Sequence, residues 1–466
     1  MPRKECGVMT HNLRVHFIHV IIIFTHFFIY IFMIDFFFAP TLFWVLSGCI
    51  LLSIQSAAIG CFTVLNKQSL AGDAVAHAVL PGICIAFLLT GEKDGLLLLI
   101  SASISGWIAL QTIQYISETT KIKTDASIGI ILSVFFGIGI LLLTSIQQSG
   151  NGNQSGLDKY ILGKAAGMLP EDILLLLCTC SIILLVLALF RKEIIAYIFD
   201  IDFAKSSGIP FRLIRFCLLL LLIINVVSGI QTVGVVLMAA LIITPVSAAR
   251  FWSDSIQKVY TISLIIGIIS AFVGVGFSFY IANAPTGATI VLALTSVFFI
   301  SAFFAPHKGI IARLYKQFNH KEKTQQENIL KLCFHSIEHN DSLKLPLLTH
   351  SEIQNFEVIM NDQGILHWKK HSKSLIKKGF LSYSAISDTW YITKEGLARG
   401  QRITRLHRLW EAYLLHHLQF DIDHVHEDAD SIEHILTPEL ELALETILNN
   451  PKFDPHGETI PRIYIY

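Results

Sequence analysis

The chain has 466 residues, of which 53% are hydrophobic and only 15% charged, where a soluble domain carries about 25% charged residues. With a mean hydropathy of +0.60, that composition excludes a wholly soluble protein. The formal charge is zero, with 35 basic residues against 35 acidic ones, and it is an average over unlike parts. Residues 1–306 are almost entirely apolar runs, and residues 307–466 are polar and rich in histidine. This pattern predicts an all-α polytopic membrane domain followed by a soluble one. Most of the eight cysteines lie inside apolar runs (Cys49, Cys61, Cys84, Cys178, Cys180, Cys217), and none has zinc-ribbon or disulfide-framework spacing. A soluble part in a reducing cytoplasm fits that usage.

In chain order, the first apolar run, 15–38, is longer than a signal-peptide core and lacks a small-residue cleavage site. It is read as a span or an N-terminal anchor. A span needs about 20 apolar residues. The candidates are 15–38, 41–64, 76–90, 94–116, 126–146, 171–190, 213–230, 233–250, 259–282 and 286–304, which predicts 9–10 transmembrane helices. The stretch Gly229-Ile230-Gln231-Thr232-Val233-Gly234 between two of them reads as a tight turn or a broken helix. Alternate loops hold Lys67, then Lys121 and Lys123, then Arg191, Lys192, Lys205 and Arg212, then Arg250 and Lys258. The opposite loops hold only Lys93, Lys159 and Lys164. By the positive-inside rule the large tail is cytoplasmic, on a multi-pass inner-membrane protein.

At the start of the third span, Asp73 and His77 lie four apart and share a helix face. A polar pair entering hydrocarbon is expensive and marks a pathway, a substrate or a partner. Asp with His is also a good ligand pair for a divalent transition metal. A helix cap with an interfacial polar anchor accounts for the same spacing. Further on, residues 198–210 form a short amphipathic helix ended by Gly208, either a docking knob at the cytoplasmic face or an ordinary interfacial loop.

Residues 307–326 are a basic juxtamembrane linker. Helices are expected at 325–339, 351–359 and 362–379, then a two-stranded wing over 380–393 turning at Ser387-Asp388. Three helices and a wing describe a winged helix-turn-helix, assigned to 327–402. Its third helix carries Lys369, Lys370, Lys373 and Lys377 for DNA; a solvated basic helix is the alternative. In 403–466 the charge turns acidic. His407 and Glu411 are i, i+4 on one helix, and His426, Asp430, Glu433 and His434 fall at i, i+4, i+7 and i+8 on the next. Six N and O donors on two facing helices suit Mn(II), Fe(II) or Zn(II). A chance surface cluster is the alternative.

Two resemblances follow from these residues. Gln68-Ser69-Leu70-Ala71-Gly72-Asp73-Ala74-Val75-Ala76-His77, Asp125-Ala126-Ser127-Ile128-Gly129-Ile130 and Tyr160-Ile161-Leu162-Gly163 come first. Asp202-Phe203-Ala204 with Gly208, Val233-Gly234-Val235-Val236-Leu237 through Pro245, and Ala284-Pro285-Thr286-Gly287 follow in order. The membrane half thereby resembles the manganese/zinc/iron ABC permeases of the ABC-3 type. The resemblance implies a pore with a second permease subunit, fed by an external metal-binding lipoprotein or solute-binding protein. It also implies a coupling helix at 199–209 (Asp202, Ala204, Gly208) for a separate ATPase, and metal contacts at Asp73 and His77.

Arg405-Leu406-His407-Arg408-Leu409-Trp410-Glu411, Val425-His426-Glu427-Asp428-Ala429-Asp430-Ser431-Ile432-Glu433-His434 and Asp454-Pro455-His456-Gly457 resemble the diphtheria-toxin-repressor-type metalloregulators. That resemblance implies a metal-binding, dimerising domain over 403–466, with His407, Glu411, His426, Asp430, Glu433 and His434 as ligands. The acid at 430 leans toward the manganese-type site. The family takes a further ligand from its first DNA-domain helix, where Glu327, Asn328 and Lys331 offer no clear donor. A permease joined to such a regulator resembles the chlamydial metal permease–repressor fusion.

The chain carries no G-x-x-x-x-G-K-[ST], so ATP hydrolysis is expected from a partner and this chain is not expected to be an enzyme. The expected function is the permease subunit of a divalent-metal importer whose tail binds metal, dimerises and represses at a DNA operator. Cleavage in 307–326 would free a soluble repressor. The alternative is a tail that gates transport by metal and never touches DNA.

Overall fold

The structure is a computed structural model describing residues 40–66, 68–91, 95–148, 163, 167–281, 284–306, 308–338, 347–348, 368–384, 386, 389–418, 432–434 and 436–461. Its contacts divide the chain into two units, Met1–Ala312 and Arg313–Tyr466.

Along the first unit run α1 (Pro40–Leu65), α2 (Ala71–Thr90), α3 (Gly95–Thr119), α4 (Thr124–Gln148) and α5 (Pro170–Leu189). Two short helices follow, α6 (Arg191–Phe199) and α7 (Ile201–Ser206). Then come α8 (Phe211–Val233), α9 (Val235–Ala249), α10 (Ile256–Tyr280) and α11 (Thr286–Phe304). Among the described residues, eight of these helices are long and apolar enough to cross a membrane. α9 is equally apolar but has only 15 residues. Every expected span from the second onward coincides with one of these nine helices; the first, 15–38, falls outside the described residues. The third begins earlier than expected, at Ala71 rather than 76, because Ala71, Gly72, Ala74 and Val75 are buried against neighbouring helices. Asp73 and His77 therefore sit within the helix.

Between apolar helices, packing and buried hydrogen bonds replace the hydrophobic drive available in water. α1 supplies both. Gln55 Nε2 donates to Ser228 Oγ at 3.3 Å, Ser56 Oγ donates to Asn225 Oδ1 at 3.1 Å, and Thr179 Oγ1 donates to Gln55 Oε1 at 3.1 Å. These bonds tie α1 to α8 and α5. The expected break between the seventh and eighth spans is one residue long. Gly234 separates α8 from α9 with φ 83° and ψ 169°, a conformation essentially reserved for glycine. Gly163 lies against this break, so closely that a Cβ on it would come 2.3 Å from the Val233 carbonyl carbon.

The expected amphipathic segment is α6 and α7, hinged at Asp200. The Asp200 carboxylate caps α7 by accepting from the backbone N–H groups of Asp202 (3.0 Å) and Phe203 (2.8 Å). Ala204 is fully buried, while Asp202 and Phe203 are exposed and Gly208 ends the turn at φ 71°.

α12 (Ile310–Glu338) runs through most of the stretch read as a linker, which is helical and mostly exposed up to Lys323. In the second unit it is followed by β1 (Leu347–Leu348), α13 (Trp368–Lys377), β2 (Leu381–Ser384) and β3 (Thr389–Ile392). The wing has three antiparallel strands in the order β1-β3-β2, one more than expected. β1 is two residues long, too short for an alternating pattern to show. Ile329, Leu330 and Cys333 of α12 form a core with Leu375, Leu381 and Ile392. The helix expected at 351–359 lies outside the described residues. α14 (Lys394–Leu418) and α15 (Pro438–Ile447) complete the unit. Gly400 lets α14 cross close to α12: a Cβ there would lie 2.4 Å from the Leu330 carbonyl oxygen. That crossing sets His407 opposite Lys331.

Candidate metal centres

In α2, His77 Nε2 lies 3.6 Å from Asp73 Oδ1, both side chains about a quarter to a third exposed (26% and 31%). The i, i+4 spacing alone brings them to one face. The His77 ring stands edge-on to Phe136 of α4, with centroids 4.9 Å apart and planes at 83°. His77 is the only ionisable residue among those lining a small cavity with Ala76, Val79, Leu80, Ile83, Phe136, Ile230 and Val235. Helices α2, α4 and α8 thus converge with α9 on it, and the Gly234 break lies one residue before Val235. Pro81 sits one turn beyond His77. An imidazole at an otherwise apolar cavity, with a carboxylate 3.6 Å from it, can take a divalent ion from water and pass it on, since a few polar donors suffice where the walls are hydrocarbon.

The second group is buried in the C-terminal unit. α14 places His407 and Glu411 on one face, with His407 Nε2 3.0 Å from Glu411 Oε1. His407 Nδ1 lies 2.6 Å from Glu433 Oε2. The two carboxylates outweigh burial, which alone pushes the imidazole down, and the His407 pKa is raised. Glu433 Oε1 lies 3.4 Å from His434 Nε2. On its other nitrogen, His434 Nδ1 is 2.8 Å from Glu327 Oε2 of α12. Burial pushes the Glu327 carboxyl up, but hydrogen bonds from His434 and Arg399 and the Lys323 charge outweigh it and hold its pKa at about 2. His426 and Asp430 fall outside the described residues.

The donors that are described fit a divalent ion. Glu433 Oε1 and His434 Nε2 are buried ligand atoms, side by side, with no hydrogen-bond partner among the described residues. Glu327, the acid that the sequence left without a clear role, holds the far side of the His434 ring. A carboxylate on Nδ1–H fixes the tautomer and leaves Nε2 its lone pair, as second-layer carboxylates do behind metal-bound histidines. Lys331 is the other residue that sequence reasoning missed. Its Nζ lies 2.9 Å from Glu433 Oε2 and 3.0 Å from His407 Nδ1. Neither placement has a local signature, because α12 meets the other partners across 76 to 107 residues of chain.

On α13, Lys373 and Lys377 are exposed one turn apart, while His371, Ser372 and Leu375 are buried. Gln326 of α12 donates to Ser374 Oγ at 3.1 Å and fixes the helix from behind. The side chains of Lys369 and Lys370 lie outside what the structure describes.

Comparison with known proteins agrees with both halves. A model for the ABC 3 transport family matches residues 39–305. A model for the iron dependent repressor metal binding and dimerisation domain matches residues 393–462. The manganese transport system membrane protein MntC of Bacillus subtilis is 35% identical over 398 residues, covering 84% of this chain and 87% of that protein. A probable metal transport system membrane protein of Chlamydia trachomatis is 27% identical over 432 residues, covering 88% of this chain and 94% of that one. Among solved structures, PsaBC from Streptococcus pneumoniae in complex with Fab matches at 32% identity with a TM-score of 0.52, covering 60% of this chain and 97% of that one. The chain therefore belongs to the ABC 3 transport family, and carries behind its membrane helices a metal-binding and dimerisation domain of the iron-dependent repressor type.

Proposed function

We propose that this chain is the permease subunit of an ATP-driven divalent-metal importer in the inner membrane, and that its cytoplasmic tail is a metal-dependent repressor. The observation that carries this reading is the pairing, in one chain, of two carboxylate–imidazole groups. One lies on an apolar helix at a cavity; the other is buried in a repressor-type domain. Mn(II) is the foremost cargo, in line with the printed name of the Bacillus subtilis relative. Fe(II) and Zn(II) suit the same donors.

In this reading Asp73 and His77 contact the ion in transit. An external metal-binding lipoprotein or solute-binding protein delivers it, and a second permease subunit completes the pore. A separate ATPase docks at α6–α7, where Asp202 and Gly208 are exposed around the buried Ala204. The test is uptake of radioactive Mn(II) by membranes holding the permease and its ATPase. Asp73→Ala and His77→Ala should each cut ATP-dependent uptake strongly; undiminished uptake in both would overturn the assignment.

The tail dimerises, binds divalent metal in the centre built from His407, Glu411, His426, Asp430, Glu433 and His434, and then grips DNA through Lys369, Lys370, Lys373 and Lys377. Gel shifts of the operon's own upstream DNA with residues 313–466 should require Mn(II) or Fe(II), and metal-independent binding would sink the repressor. The finer suggestion, release of the tail by cleavage in 307–326, predicts a short metal-regulated fragment on immunoblots. Full-length protein alone in every metal condition removes it.

One observation favours a second reading, a tail that gates transport. α12 carries Glu327 and Lys331 at the metal cluster and begins at Ile310, soon after the last membrane helix ends at Phe304.

A further inference from the structure

The buried cluster contains two groups of donors that share one residue. Glu433 Oε2 faces His407, which in turn reaches Glu411. Glu433 Oε1 faces His434, which in turn reaches Glu327. Each group has carboxylate and imidazole atoms at spacings a divalent ion can bridge, so the donor geometry alone has room for two ions joined by the Glu433 carboxylate.

The two groups differ in what already lies in them. Beside Glu433 Oε1 and His434 Nε2 no hydrogen-bond donor is found among the described residues. Beside Glu433 Oε2 and His407 Nδ1 stands the Lys331 ammonium, 2.9 Å from one and 3.0 Å from the other. Whichever ring nitrogen of His407 carries the proton, a positive charge sits within hydrogen-bond reach of both atoms that a cation would have to bridge. Lys331 is 9% exposed, and Glu433 and His407 less. An ammonium at such a depth is held only by close carboxylates, and withdrawing it would leave Glu433 and Glu411 facing each other across one imidazole. A second divalent ion beside the ammonium would meet strong like-charge repulsion at low dielectric.

We propose that Lys331 is a built-in counter-cation that fills the position between His407 and Glu433, so that the tail binds a single divalent ion on the Glu433 Oε1–His434 Nε2 side. Lys331 thereby sets metal stoichiometry, and Glu433 is a ligand through one oxygen and an ion-pair partner through the other. His407 and Glu411 hold the ammonium side of the centre. The inference rests on the tail being a metal-binding domain, and the experiment separates the two ideas.

Full-length protein in detergent micelles is titrated with Mn(II), and bound ion is counted from the loss of the free Mn(II) signal in electron paramagnetic resonance. Glu433→Gln tests the metal-binding reading: it should lower the wild-type count by one ion per chain, and an unchanged count overturns that reading. Lys331→Met tests the present inference. It should bind one more Mn(II) per chain than the wild type, with a spin-coupled spectrum from two neighbouring ions. His407→Ala added to Lys331→Met should abolish the extra ion, and Lys331→Arg, which keeps the charge, should keep the wild-type count. If Lys331→Met does not melt cooperatively, Lys331→Gln replaces it with the same expectation. A folded Lys331 variant without positive charge that binds Mn(II) with unchanged stoichiometry and no spin coupling overturns the proposal.

Discussion

Glu327 shows how buried partners hold a carboxyl in its ionised form. Its carboxyl lies at about 2 instead of 4.5 because His434 and Arg399 bond its ionised form despite burial. A depressed carboxyl contributes stability that is complete above its unfolded value and is lost as pH falls through the folded one. His335, pushed down to about 4 from 6.5 by burial and by the Arg408 and Lys331 charges, acts earlier in the same direction. Acidification should thus destabilise the tail from 6.5 down to about 4 through His335, and from 4.5 down to about 2 through Glu327. The Glu327 share is on the order of 3 kcal/mol. Thermal melts of the tail followed by circular dichroism across this range are the check. Glu327→Gln should flatten the lower arm and leave the upper arm in place; equal acid sensitivity in the variant would count against the ion pair. At this scale the sequence was half legible. The i, i+4 pairs Asp73–His77 and His407–Glu411 follow from helix geometry alone, and both meet in the structure. Glu327 reaches His434 and Arg399, and Lys331 reaches His407 and Glu433, only through packing between distant segments, which no local spacing encodes.

Among the elements, spans were readable because twenty apolar residues in a row have few other fates. Their junctions were less so. The choice between a tight turn and a broken helix at Gly234 depended on one backbone angle, φ 83°. Gly234→Ala would force a Cβ into a conformation costing about 1–3 kcal/mol. It would also crowd the spot where Gly163 lies against Val233 and Gly234. We expect a lower thermal midpoint for the solubilised protein and reduced Mn(II) uptake, with Ala substitution at the unconstrained Gly137 of α4 as the control. Equal loss at both positions would show that the break has no special role. In the tail, the lysine-bearing helix and the wing were legible from charge and alternation, whereas the third strand, two leucines long, was not.

At the level of the whole molecule, the split into Met1–Ala312 and Arg313–Tyr466 follows the composition change noticed first in the sequence. It lets the two readings of the tail be told apart. A chain ending at Ala312 should retain ATP-dependent uptake in either case. If the tail is a repressor only, added cytoplasmic Mn(II) should affect transport by full-length and shortened chains alike, measured in vesicles without DNA. If the tail gates transport, only the full-length chain should slow.

Pro81 has a consequence for how α2 presents itself at His77. A proline nitrogen has no proton, so the carbonyl four residues back, that of His77, is denied its helical donor. The next carbonyl along, on Ala78, accepts from the Ser105 hydroxyl at 2.6 Å. His77 therefore brings two kinds of electron pair to one turn: an imidazole nitrogen from its side chain, and a main-chain oxygen loosened from the ladder. Oxygen of that kind suits a hard ion such as Mn(II). Substitution at position 77 erases the first but not the second, which answers instead to Pro81→Ala, a change that restores the helical N–H.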